Sequence, residues 1–115
     1  MSIERYRSGE KLSRIVTHNS MVYLCGQVAN SYEGDLEEQT RQVLARIDDH
    51  LAEAGSDRSK MLHVMIHIKD ISQAARMNAI WGEWLGDGPR PARTCVEAAM
   101  AKPECWVEMT VVATQ

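Results

Sequence analysis

The side chains best able to do chemistry stand near the carboxy-terminal end of this sequence. In Arg90-Pro91-Ala92-Arg93-Thr94-Cys95-Val96-Glu97-Ala98 a proline leads into an alternating run. Residues two apart in a strand share a face, so Arg93, Cys95 and Glu97 point one way and Thr94 and Val96 the other. A guanidinium on a sheet must reach solvent or meet an anion, because an unpaired buried charge is very costly. Two readings are open: Glu97 is the structural partner of Arg93, or the guanidinium reaches solvent. Glu108 is equally out of place among Trp106, Val107, Met109, Val111 and Val112. A carboxylate there is either paired or placed to handle protons.

Other candidates are weaker. Cys95 as a nucleophile needs an activating base, and no histidine is near it in the local strand pattern, so it reads as a small buried side chain. His63 and His67 share a strand face, but four residues of strand separate their Cα atoms by about 13 Å, too far for one metal ion. They read as structural or interface residues. His18 and His50 have no partner visible in the sequence. Three cysteines, Cys25, Cys95 and Cys105, form no C-x-x-C pair, so neither a disulfide framework nor a zinc site is expected. Free thiols suit a reducing compartment. With no signal-like or membrane-length apolar run, the expected location is the cytoplasm, with no membrane partner.

The elements that must hold these residues follow from periodicity. Ile15–His18 and Met21–Cys25 read as a hairpin turning at Asn19-Ser20, with Gly26 ending the second strand. Asp35 caps a helix in which Leu36, Thr40, Val43, Leu44, Ile47, Leu51 and Ala54 form one apolar face, and Gly55 closes it. Met61–Ile68 alternates as a strand: Val64, Ile66 and Ile68 face one way, His63, Met65 and His67 the other. Asp70-Ile71-Ser72 opens a second helix to about Leu85, with Ala74, Met77, Trp81 and Trp84 as its core. Two strands close the chain, Arg93 to Ala98 and Trp106 to Ala113, joined across a turn at Lys102-Pro103. Two helices able to cover one sheet face make a two-layer α+β sandwich, whose other face is too apolar for open water and calls for self-association.

At 115 residues the chain is read as one domain, residues 1–115. A net charge of −3 without a basic stripe counts against nucleic acid as a partner. Arg5, Arg7, Lys11 and Arg14 form the only local basic cluster, read as a solvated amino-terminal segment.

Pro91-Ala92-Arg93-Thr94-Cys95-Val96-Glu97, with Val107-Glu108-Met109 and Val111-Val112-Ala113, resembles the carboxy-terminal signature of the RidA/YjgF family, also labelled endoribonuclease L-PSP or translation-initiation inhibitor. Cys25-Gly26-Gln27-Val28, Gln39-Thr40 to Gly55, Ile68-Lys69-Asp70 and Met77-Asn78-Ala79 extend the likeness over nearly the whole chain. The resemblance implies a chorismate-mutase-like fold, an about six-stranded mixed sheet with two helices on one face, assembled as a homotrimer with clefts between subunits. It also implies hydrolytic deamination of reactive 2-imino and enamino acids, such as 2-aminoacrylate, to 2-keto acids and ammonia, without metal or organic cofactor. By position Arg93 binds the substrate carboxylate, Cys95 contributes its backbone, Glu108 orients or activates water, and Asn78, Gly26 and Cys25 line the pocket. The sequence departs from the family at Cys25, where serine is usual, at Leu12 in place of a tyrosine, and in a shorter loop before Arg93. RNA cleavage or translational inhibition, and non-catalytic binding of small carboxylates, are the competing readings.

Overall fold

The computed structural model describes residues 2–115. One six-stranded sheet runs in the order β1-β2-β3-β6-β4-β5, with β1 Glu4–Tyr6, β2 Ile15–His18, β3 Met21–Leu24, β4 Met61–Ile68, β5 Ala92–Glu97 and β6 Val107–Thr114. Only β4 and β5 pair in parallel; the other neighbours are antiparallel. The helices α1 (Leu36–Glu53) and α2 (Ala74–Leu85) pack together and cover one face. The molecule is only 20 Å across its shortest axis, the depth of one sheet plus one helix layer.

Local chemistry sets the boundaries. Asn19 and Ser20 both have positive φ, 51° and 64°, the geometry of a type I′ turn that matches the twist of β2 and β3. Asp35 accepts a hydrogen bond from Glu38 N–H at 2.9 Å and so caps α1. The helix ends in a Schellman motif: Ser56 N–H donates to Leu51 O, Gly55 N–H to Ala52 O, and Gly55 takes φ 78°. Leu36, Val43, Leu44, Ile47 and Leu51 from α1 meet Val64, Ile66 and Ile68 from β4 and Val107, Met109 and Val111 from β6 in the core.

Two expectations change. Asp70 does not start an α-helix; it caps a 3₁₀ turn, Ile71–Gln73, by accepting from Ser72 N–H, and α2 begins at Ala74. The buried face of α2 is Met77, Ile80, Trp81 and Leu85, while Ala74 and Trp84 are only partly buried against it. The basic amino-terminal segment is not wholly solvated coil: Glu4–Tyr6 is an edge strand paired with β2, and it supplies the sixth strand. Its few exposed polar residues show no run of alternation, so nothing local marks it as a strand; its partner does.

Candidate functional site

The two faces of the sheet divide the candidate residues. In parallel register Arg93 lies beside Val64, Cys95 beside Ile66 and Glu97 beside Ile68, all directed to the helix side. In antiparallel register Glu108 lies beside His67, on the face that carries no helix.

On the helix side Arg93 is exposed on β5, the edge strand. Its Nη1 donates to Asn78 Oδ1 of α2 at 2.7 Å, and its guanidinium carbon is 5.6 Å from the Trp81 ring centre. Asn78 and Trp81, three residues apart, share one helix face, so α2 offers an amide oxygen and a π-surface together. Glu97 is not the partner of Arg93: its Oε1 accepts from Ile71 N–H at 3.0 Å. Arg93 enters no ion pair with the described residues. Asn78 is neutral, so the positive charge is positioned without being neutralised. Burial pushes the Cys95 thiol above its usual range, against a smaller opposing effect of Arg93. A thiol held protonated is a poor nucleophile, in keeping with the structural reading.

On the open side Glu108 sits against Gly26. A methyl group there would lie 2.6 Å from Glu108 Oε2 and 2.8 Å from its carboxyl carbon, so only glycine leaves the carboxylate its place. The turn carrying Gly26 is fixed by Gln27, 1% exposed, whose Nε2 donates to Cys25 O at 2.9 Å and to Cys25 Sγ at 3.3 Å. Gln27 also exchanges backbone hydrogen bonds with Met109. Cys25 therefore receives a hydrogen bond where a serine could receive the same one. His67 Nδ1 stands 3.9 Å from Glu108 Oε1, close enough for charge interaction but too long for a hydrogen bond. Glu108 and His67 line a cleft of about 300 Å³ with Val28, Tyr32, Lys102 and the backbone turn that follows β5. Burial, with Cys105 beside it, pushes the Tyr32 phenol up, so it stays a neutral hydrogen-bonding group there.

The structure thus joins Gly26, Cys25 and Glu108 in one place and Arg93, Asn78 and Cys95 in another. It does not join the two places within one chain. Arg93 and Glu108 are two strands apart and offset by three residues along β4, which puts their Cα atoms about 14 Å apart with side chains on opposite faces. The sequence leaves Tyr32 and Lys102 unassigned and reads His67 as structural or interface, because only the β4–β6 register and the loop path bring them to Glu108. Trp81 had a visible signal, its spacing from Asn78. Among the described residues no cluster of three or more His, Cys, Asp or Glu side chains is arranged to hold a metal, and no helix is long and apolar enough to cross a membrane.

A six-stranded mixed sheet with two helices on one face makes this a two-layer α+β protein. The endoribonuclease L-PSP family model matches residues 3–115, and the chain belongs to that family, the RutC/YjgF/Rid group. It is similar to a RutC family protein of Haemophilus influenzae, 37% identical over 115 residues and 99% of each chain. The RutC family protein YoaB of Escherichia coli is 35% identical over 113 residues, 98% of each. Among solved structures, a Pseudomonas aeruginosa protein superposes with a TM-score of 0.95 at 38% identity, over 99% of each chain. A YjgF family member from Neisseria meningitidis gives 0.94 at 38% identity, over 100% of this chain and 96% of that one.

Proposed function

We propose that the protein is a cytoplasmic hydrolytic deaminase of 2-imino and enamino acids. The observation that carries this reading is the guanidinium of Arg93, held in place by Asn78 and Trp81 yet lacking any carboxylate partner among the described residues. A 2-imino acid has its carboxylate bonded directly to the reacting C=N carbon. A group binding the first and a group acting on the second must therefore approach within a few bonds of each other. Arg93 and Glu108 of one chain cannot, being on opposite faces of the sheet. The reading consequently requires a site completed between subunits, with Arg93 from one and Glu108 from its neighbour.

The open sheet face supports such an assembly: Tyr23 is 45% and Val96 40% exposed on it, beside half-buried Val16, Met65 and Val112. A homotrimer places three such clefts around an axis. In each, Arg93 binds the carboxylate as a planar fork, an attraction of about 4 kcal/mol at 4 Å and an effective dielectric of 20 before desolvation. With the imine protonated on nitrogen, Glu108 takes a proton from water as its oxygen adds to the C=N carbon, giving a neutral carbinolamine. The same carboxyl then protonates the nitrogen, the C–N bond breaks to release ammonia, and the hydroxyl proton passes back to the carboxylate as the 2-keto acid forms. Cys95 contributes backbone, Asn78 fixes Arg93, and Gly26 and Cys25 leave space beside Glu108. General acid–base help of about 10²–10⁴-fold is what such a labile bond needs.

The test uses an amino-acid oxidase generating imine in the presence of semicarbazide, which traps it. The protein should suppress semicarbazone formation and Arg93→Ala should fail to, by at least about 30-fold in kcat/KM, the low end for truncating one side of a desolvated charge pair. Equal suppression by both proteins removes Arg93 from the mechanism. The family label points instead to RNA cleavage. A net charge of −3 opposes it, and RNA-cleaving activity that survives purification and Arg93→Ala, without imine turnover, would favour it.

A further inference from the structure

A second cleft, of about 240 Å³, lies away from Glu108 between the amino-terminal loop and the last two turns of α1. Arg7, Arg14, Asn30, Arg46, Asp49, His50 and Glu53 line it. Arg46, Asp49, His50 and Glu53 recur at three- and four-residue steps and so form one helix face.

Asn30 is neutral and can serve as donor or acceptor; the ionisable groups can be accounted for one by one. Arg7 and Glu53 satisfy each other at 2.8 Å. Arg46 donates from Nη1 to Val28 O, keeping its other N–H groups. Arg14 and Asp49 enter no ion pair with the described residues. His50 is only 6% exposed. Its Nδ1 is 2.8 Å from Arg46 O, and because a carbonyl only accepts, that nitrogen carries the proton. Nε2 is then a lone pair in the neutral ring, and it is buried with no partner among the described residues. Buried polar atoms are nearly always paired, so an orphaned acceptor beside a charged cleft calls for a donor from outside.

What remains open is an unpaired donor set, Arg14 with the rest of Arg46, next to an unpaired acceptor set, Asp49 with His50 Nε2. A simple anion would answer the first and be repelled by Asp49. A simple cation would do the reverse. A ligand with a cationic donor and an anionic acceptor two bonds apart satisfies both sets. We infer that this cleft binds the zwitterionic head group of an α-amino acid, carboxylate toward Arg14 and Arg46, ammonium toward Asp49 and His50. Reaching Nε2 requires the rim to part, and long exposed side chains such as Arg7, 58% exposed, change rotamer in nanoseconds or less. The inference does not depend on the proposed deaminase reaction.

Recognition lies in the head group, so L-alanine suffices as the probe, with propionate and ethylamine as its two halves. The full chain labelled with ¹⁵N is titrated with each, following backbone amides and the His50 ring nitrogens. L-Alanine should shift His50 Nε2 and the amides of Arg14 and Asp49 with a Kd of about 1 mM, and each half should bind at least about tenfold more weakly. Arg14→Gln and Asp49→Asn, both surface changes, should each weaken L-alanine about tenfold while leaving the rest of the spectrum in place. Equal binding of propionate would make this a plain anion site and overturn the inference. So would an unmoved Nε2 at saturating L-alanine, or a titration indifferent to Asp49→Asn.

Discussion

Mixing two inactive variants tests the division of the site most directly. On the proposed mechanism Arg93→Ala removes the carboxylate-binding group and Glu108→Gln the proton carrier, so each purified protein should be inactive alone. Arg93 and Glu108 of one chain stand about 14 Å apart on opposite sheet faces. If each cleft takes Arg93 from one subunit and Glu108 from the next, random reassembly at equal amounts restores some clefts. A given cleft has an intact Arg93 with probability one half and an intact Glu108 with probability one half, so about a quarter of clefts regain both. The fraction follows for any head-to-tail ring, so it does not presuppose three subunits. The assay is the semicarbazide competition after joint unfolding and refolding, with each variant refolded alone as control. Recovery near a quarter of wild-type activity is expected. Recovery indistinguishable from zero, with mixed assemblies demonstrated by mass spectrometry, would mean both groups act from one chain and would refute the two-face argument.

Three further perturbations follow from the geometry. Gly26→Ala places a methyl group 2.6 Å from Glu108 Oε2 and should lower kcat at least about tenfold with little loss of stability, since a flexible side chain can yield; unchanged kcat would show that Glu108 does not act from its present position. Asp48 accepts from Arg58 Nε and Nη2 and from Trp84 Nε1, so Asp48→Ala should cost about 2 kcal/mol in urea unfolding by leaving three donors on two half-buried side chains unpaired, and a loss under 0.5 kcal/mol, about the size of an ordinary surface change, would contradict that. The Asp70 carboxyl is held below its usual value of 3.8 first by the Ser72 hydroxyl and then by the Ser72 N–H. A depressed acid stabilises the fold above its unfolded pKa and loses that contribution as pH falls through the folded one. Asp70→Asn should therefore flatten the decline in urea midpoint below about pH 4, and an unchanged acid limb would show that this turn does not contribute to it.

The extent to which the sequence disclosed this molecule depended on how far apart the interacting residues are. The cap at Asp35, the Gly55 closure, the Asn19-Ser20 turn and the two faces of Met61–Ile68 are set within a few residues of themselves, and all stand where periodicity places them. β1 was invisible because it is a strand only by virtue of Ile15–Tyr6 and Thr17–Glu4 pairing. The start of α2 slipped because Asp70 caps a 3₁₀ turn with the same side-chain chemistry that begins an α-helix. Glu97 shows the limit most sharply. Its place on the face of Arg93 made it a fair partner on paper, yet the backbone N–H of Ile71 takes its carboxylate.

That substitution of partners bears on the proposed site. Ile71 belongs to the turn between β4 and α2, and a carboxylate receiving its N–H helps anchor the connection that carries Asn78 and Trp81 to Arg93. One acid thus serves the arginine indirectly, by fixing the helix that orients it, and leaves its charge for use elsewhere. On the other face the same economy holds: glycine, not a charged group, backs Glu108, and the nearest ring nitrogen stops at 3.9 Å. Among the described residues neither Arg93 nor Glu108 has a hydrogen-bonded partner of opposite charge. On the proposed reading each meets that counterpart in a ligand or across a subunit boundary.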